Sequence, residues 1–211
     1  LALGAYAAAA RDFDRAIAVG HRSALRRRVA VEAARGDFAA AERFERQLRR
    51  DDRHAYLERV SLAVDRGDLA RARKLAADGV ALAPAASHDA RSLLLPMAVV
   101  EALAGKREAA VATARRVADQ ALAALAAGFD PDAEADAALA LGAALVALRE
   151  GDETVATDVL GALSPRPELA ALPAVAELTA VVRAEQVRIG GRPQVAIDLL
   201  TPLLSGNERY Q

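Results

Sequence analysis

Residues 56–84 read YLERVSLAVDRGDLARARKLAADGVALAP, and their pattern decides the fold. Tyr56, Val60, Ala63 and Val64 recur at three- and four-residue spacing, which places them on one side of a helix over 54–66. Gly67-Asp68 interrupts that run, and a second helix-forming stretch follows over 69–82. Glycine takes positive φ without steric cost and so closes a short turn. Ala72, five residues beyond Gly67, is small enough for the second helix to lie close against the first. Ala83-Pro84 ends the unit, because proline cannot continue a helix interior. The stretch is a helical hairpin.

The same signature recurs along the chain. The pairs Gly36/Ala41, Gly105/Ala110, Gly151/Ala156 and Gly191/Ala196 repeat the five-residue spacing, and Arg11/Ala16 reads as a further copy with its glycine lost. The first full hairpin is expected over 23–35 and 38–50 about Gly36-Asp37, with Phe38, Ala41, Phe44 or Glu45, and Leu48 buried. Asp51-Asp52 is placed to cap the next helix. The third hairpin spans 88–103 and 107–126, with Pro96 expected to kink its first helix or mark that helix's start. Residues 128–131 form the clearest loop. The fourth hairpin spans 133–149 and 153–163, and the fifth 172–189 and 193–204. Successive corner glycines stand 31, 38, 46 and 40 residues apart, so the period is loose. No stretch reads as a linker, and the chain is expected to be one repeat domain over 1–211.

Composition points the same way. The hydrophobic fraction is 54%, and 56 alanines supply about half of it. Alanine is the strongest helix former, since it loses no side-chain entropy. Aromatics make up only 3% and tryptophan is absent, which argues against one round aromatic core and for thin layers of close helices. The expected class is all-α, a superhelical solenoid of about five to six helix-turn-helix repeats. No cysteine is available for disulfides or thiolate chemistry. The most apolar run, 137–148, is too short for a membrane span of about 20 residues. Residues 1–10 read as a first helix and not as a secretory leader, so the expected location is the cytoplasm. The chain reads as part of a longer protein, beginning at leucine and stopping at Tyr210-Gln211 without a helix stop.

The formal net charge is −1, giving no overall field toward nucleic acid or anionic lipid. Its distribution is uneven. Residues 22–53 hold ten arginines against six acids, whereas 130–158 hold eight acids against one arginine. Such polarity can orient a partner or a neighbouring copy.

With the hairpin, corner and spacing in place, the chain resembles the tetratricopeptide repeat, a helix-turn-helix unit of about 34 residues. Tyr56, Gly67-Asp68, Ala72 and Pro84 carry the resemblance best. Arg28 and Arg59 depart from it, standing where that family has leucine. The resemblance implies a right-handed superhelix whose first helices line a concave groove for a peptide or a neighbouring helix. Transferred residue by residue, the groove-facing positions are Ser23, Arg26 and Ala30; His54, Leu57 and Ser61; Ser92, Leu95 and Val99; Ala138, Leu141 and Leu145; and Leu178, Val181 and Glu185. Arg26, His54, Leu57, Ser61, Leu95, Val99, Leu141 and Leu145 are the candidate partner-binding residues. The set is mostly small and apolar, so an amphipathic helix or an extended apolar segment is the expected ligand. The fourth and fifth hairpins, with ALREGDETVA and RIGGRPQVAIDLL, also resemble degenerate repeats that follow kinase or winged-helix domains in large bacterial regulators. That implies an alternative role, as a regulatory segment that signals through its stacking.

Catalytic patterns are weak. His21, His54 and His88 lie 15, 13 and 17 residues before their corner glycines, so they do not share an equivalent face for a metal. Asp130, Asp132, Glu134 and Asp136 read as acids at a helix start, complementing its dipole. Gly190-Gly191-Arg192 lacks the spaced glycines and lysine-serine pair of a phosphate loop and reads as a turn. No serine-histidine-acid set can be assembled from sequence proximity. Arg26-Arg27-Arg28 point about 100° apart on a helix and have no interleaved aromatics, so nucleic acid is not the expected partner. The expectation is a non-enzymatic protein-interaction module that needs no cofactor or metal. Leu199, Leu200, Leu203 and Leu204 make the C-terminal hairpin the expected contact for self-association.

Overall fold

A computed structural model describes residues 3–49, 52–85, 87–127 and 132–206. Among these residues all regular structure is helical and no strand occurs. The chain divides into two compact units, Leu1–Ala85 and Ala86–Gln211. The division follows Ala83, which turns to extended backbone at the end of its helix, and Pro84.

The first unit contains α1 (Leu3–Ala18), α2 (Ser23–Ala34), α3 (Phe38–Glu45), α4 (Arg53–Asp65) and α5 (Leu69–Leu82). Helix α2 packs against α1, α3 and α4, and α4 packs against α5. Its core joins Val29, Ala41, Leu48, Ala55 and Leu62, flanked by Leu25, Phe38 and Phe44. The second unit contains α6 (His88–Leu103), α7 (Arg107–Ala126), α8 (Ala133–Arg149), α9 (Thr154–Leu163), the single turn α10 (Pro167–Ala170), α11 (Pro173–Ile189) and α12 (Pro193–Gly206). There α8 is central, packing against α6, α7, α9 and α11, while α12 packs on α11. Small residues face one another across this unit. Ala110, Ala114 and Ala121 of α7 and Ala140, Ala143, Ala144 and Ala147 of α8 have no exposed surface. Without longer side chains between them, the helices gain dispersion contacts along their backbones.

The five corner glycines, Gly36, Gly67, Gly105, Gly151 and Gly191, all adopt positive φ between 69° and 82°. At each corner the next residue's N–H reaches back to a carbonyl in the last turn of the preceding helix, as in Asp37 to Glu32, Asp68 to Ala63 and Asp152 to Ala147, at 2.9–3.0 Å. This satisfies carbonyls that the helix end leaves open. The charged residue after the glycine has its own task. Asp37 and Asp68 accept the N–H groups of Ala40 and Arg71 at 2.9 and 3.0 Å, capping the returning helix. Ala41, Ala72, Ala110 and Ala156 are completely buried, and Ala196 nearly so.

Several expectations are corrected. Arg11 is not a corner: α1 runs straight through it, and the first turn forms at Gly20, with φ of 91°. Without a residue that favours positive φ, the helix has no reason to reverse at 11. Helix α3 ends at Glu45 and not near residue 50. Beyond it, the carbonyl of Leu48 accepts the Nη2 of buried Arg59 at 3.0 Å, and that of Arg49 lies 3.4 Å from the same nitrogen. Helix α6 continues through Pro96 and starts where expected, at His88. The turn α10 was not expected. Asp51 and the 128–131 loop lie outside the described residues.

Candidate partner-binding surface

In the first unit the residues expected to face a groove lie along the α2/α4 surface. Two clefts open there. The one nearer the helix N-termini has a volume of about 530 Å³ and is lined by Arg22, Ser23, Leu25, Arg26, Arg49 and His54, among others. The second, about 370 Å³, lies further along the same pair and is lined by Ala30, Ala33, Glu58, Ser61 and Asp65, among others. Ser23, His54 and Ser61 are exposed, while Arg26 and Leu57 are half-buried; Leu57 lines neither cleft.

Away from the two clefts, one arginine of α2 and one of α4 make charge pairs with the neighbouring helices α1 and α3. Arg59 is buried; its Nε donates to Glu45 Oε1 at 2.8 Å and its guanidinium lies 5.0 Å from the Tyr56 ring centre. Arg28 sits over Phe44 at 4.7 Å, donates to Asp14 at 2.8 Å and pairs with buried Glu32. The two arginines that depart from the repeat pattern thus substitute ion pairs and cation–π contacts for leucine packing.

Burial in the cleft raises the Glu58 carboxyl above the usual range, opposed by the fields of Arg27 and Arg26. A carboxyl that binds its proton more tightly when folded weakens the fold once it ionises. That penalty is absent below the unfolded value near 4.3 and complete above the folded one. Glu58→Gln is therefore expected to raise the unfolding free energy measured in urea at pH 7, by less than about 1 kcal/mol given the group's solvent contact, and to lose the advantage near pH 4. Equal midpoint shifts at both pH values would remove this assignment.

In the second unit the expected residues separate. Leu141 is completely buried and has no surface to offer a partner. It lies in the seam of α8, which is covered on several sides at once, unlike a groove-lining helix with one free face. Leu95 packs across to α8, where a Cβ added at Gly142 would come within 2.9 Å of its Cδ2. Val99, 37% exposed, and half-buried Leu145 remain accessible. On α12, Leu199 is exposed, Leu200 and Leu203 are half-buried, and the side chain of Leu204 lies outside the described residues. Val195 and Ile197 are more exposed than Leu199.

A polar cluster in this unit escaped the sequence reading. Asp136 is fully buried, and its carboxylate accepts both Nε and Nη2 of buried Arg91, the first at 3.0 Å. His88 Nδ1 lies 2.8 Å from the same carboxylate, and Ser92 Oγ lies 3.1 Å from His88 Nε2. Asp136 stands in the first turn of α8, as expected, and its buried carboxylate also clamps α6 to α8. Its position four residues before Ala140 and eleven before Ala147 puts it on the buried stripe, a signal present in the spacing. The order serine-histidine-aspartate is that of a nucleophile relay. Here, however, the aspartate is already neutralised by Arg91, and Ser92 sits within α6, whose backbone N–H groups are engaged in the helix. The geometry favours a structural clamp.

Among the described residues no group of three or more histidine, cysteine or acidic side chains is placed to hold a metal ion, and no helix is long and apolar enough to cross a membrane. No family model matches the chain, no curated protein matches it, and no solved structure matches it.

Proposed function

We propose that the chain is a non-enzymatic protein-interaction module built of stacked tetratricopeptide-like hairpins, whose first helices present a surface to a partner segment. The observation that carries this reading is the α2/α4 surface. Five of the six positions transferred to this unit from the repeat family, Ser23, Arg26, Ala30, His54 and Ser61, line its two clefts. Side-by-side packing of alternate helices, α2 on α4 in one unit and α6 on α8 on α11 in the other, supports the repeat reading. The mechanism is burial of one face of a partner helix or strand along a surface that exists before binding, which limits the ordering cost of association.

The test uses the intact chain as bait, with partners defined by quantitative mass spectrometry and then by direct titration. Ser61→Glu and Val99→Glu place a carboxylate on accessible positions without disturbing buried contacts; Leu141→Glu would unfold the second unit and is uninformative. At least one of the two variants is expected to weaken the titrated affinity more than tenfold while melting like the parent. Unchanged affinity in both would remove the groove reading.

A further inference from the structure

The two clefts on α2 and α4 carry opposite charge at their far ends, and this polarity identifies the kind of segment the surface takes. At one end Arg22, Arg26, Arg49 and His54 surround a floor of Leu25 and buried Leu48. Asp52 also lines this cleft, but its carboxylate accepts the His54 N–H at 3.0 Å and caps α4. Among the described residues the side chains of Arg22 and Arg26 make no hydrogen bond and no ion pair within 4 Å; the Arg26 guanidinium acts on Glu58 through its longer-range field. By contrast, the buried or half-buried arginines Arg28 and Arg59 are both held by carboxylates. Arg22 also caps α2 without a side-chain hydrogen bond to the helix, so the partial positive charge of that terminus adds to the arginines. In the second cleft the lining passes through Ala30 and Ala33 to Glu58 and Asp65. Residues 22–34 of α2 span about 18 Å at the helical rise, enough for about five or six residues of an extended segment.

We infer that the α2/α4 surface binds a protein segment that is acidic at one end, small and apolar in its middle, and neutral or basic at the other. This rests on the interaction-module reading and supplies its partner chemistry. The acidic end lies over Arg22 and Arg26, where guanidinium forks match carboxylates in two-point contacts. The small middle crosses Ala30 and Ala33, where α2 offers no long side chain. Glu58 and Asp65 repel a second acidic stretch and so fix the direction of the segment. Single-stranded nucleic acid fits less well, since no phenylalanine, tyrosine or tryptophan lines either cleft to form a base-stacking platform.

The test is fluorescence anisotropy on the full chain with a labelled ten-residue peptide bearing three glutamates, then alanines and leucines, then two lysines. A second peptide replaces each glutamate by glutamine. At low salt, about 50 mM, the acidic peptide is expected to bind about tenfold or more tightly than its neutral analogue, and the preference should shrink as salt shortens the screening length. Arg22→Gln with Arg26→Gln is expected to abolish the preference, while Arg116→Gln with Arg183→Gln, exposed arginines of the other unit, leaves it intact. Melting curves establish that each variant is folded. Equal binding of both peptides, a preference that survives Arg22→Gln with Arg26→Gln, or an equal loss in the control pair would each overturn the assignment. If Val99→Glu or Ser61→Glu still weakens a titrated partner in that event, the module reading stands and only the acidic-segment chemistry falls.

Discussion

Asp136→Ala is expected to cost the second unit about 3–5 kcal/mol, because it removes the buried carboxylate from its ion pair with the buried Arg91 guanidinium. Arg91 is 4% exposed and Asp136 is fully enclosed, so water cannot take the carboxylate's place without opening the α6–α8 contact. His88 would lose its Nδ1 partner at the same time. Urea unfolding followed by far-ultraviolet circular dichroism reads the effect. Replacing both partners, with Asp136→Leu and Arg91→Met, is expected to recover most of the loss, since an apolar pair of similar volume avoids the desolvation of two charges. If Asp136→Ala unfolds at the parental midpoint, Asp136 is not the clamp described here.

Ala72→Leu is expected to destabilise the first unit by about 1–3 kcal/mol through overpacking. Ala72 has no exposed surface and lies in the helix that returns against α4. Three more carbons at that point require either a strained rotamer or a wider separation of α4 and α5. Ala70→Leu is the matched comparison, since Ala70 is exposed in the same helix and the same substitution there is nearly neutral. Equal unfolding midpoints for Ala72→Leu and Ala70→Leu would contradict the close-packing role of the alanine five residues after each corner.

How far the sequence determined this account varies with the range of the interaction. Helices α5, α6, α7 and α8 begin and end where periodicity, proline and glycine place them, at 69–82, 88–103, 107–126 and 133–149. Those limits are set within a few residues by caps and positive-φ turns, so local sequence contains them. The early end of α3 is different. Just beyond it the carbonyls of Leu48 and Arg49 meet Arg59, which lies ten or eleven residues away in another helix. The Asp136–Arg91 pair joins residues 45 apart, and no local rule reports such a contact. The continuation of α6 through Pro96 also depends on tertiary support. Proline removes one backbone hydrogen bond and crowds the preceding turn, costs that packing on α7 and α8 offsets. The positions transferred from the repeat family that line the α2/α4 clefts, Ser23, Arg26, Ala30, His54 and Ser61, are polar or small. Leu95 and Leu141, chosen by transferred position alone, instead take part in the α6–α8 and α8 interior. A leucine on a helix covered from several sides is core before it is surface.

The central claim is that glycine corners fold this chain into close-packed helical hairpins. Backbone and methyl assignment by nuclear magnetic resonance tests it most directly. The account predicts helical carbon shifts that run unbroken through Arg11, stop at Gly20, Gly36, Gly67, Gly105, Gly151 and Gly191, and resume within three residues. It also predicts nuclear Overhauser contacts from the methyls of Ala41, Ala72, Ala110 and Ala156 to the helix before each corner. Helical shifts that continue through those glycines, or alanine methyls that contact only their own helix, would contradict it.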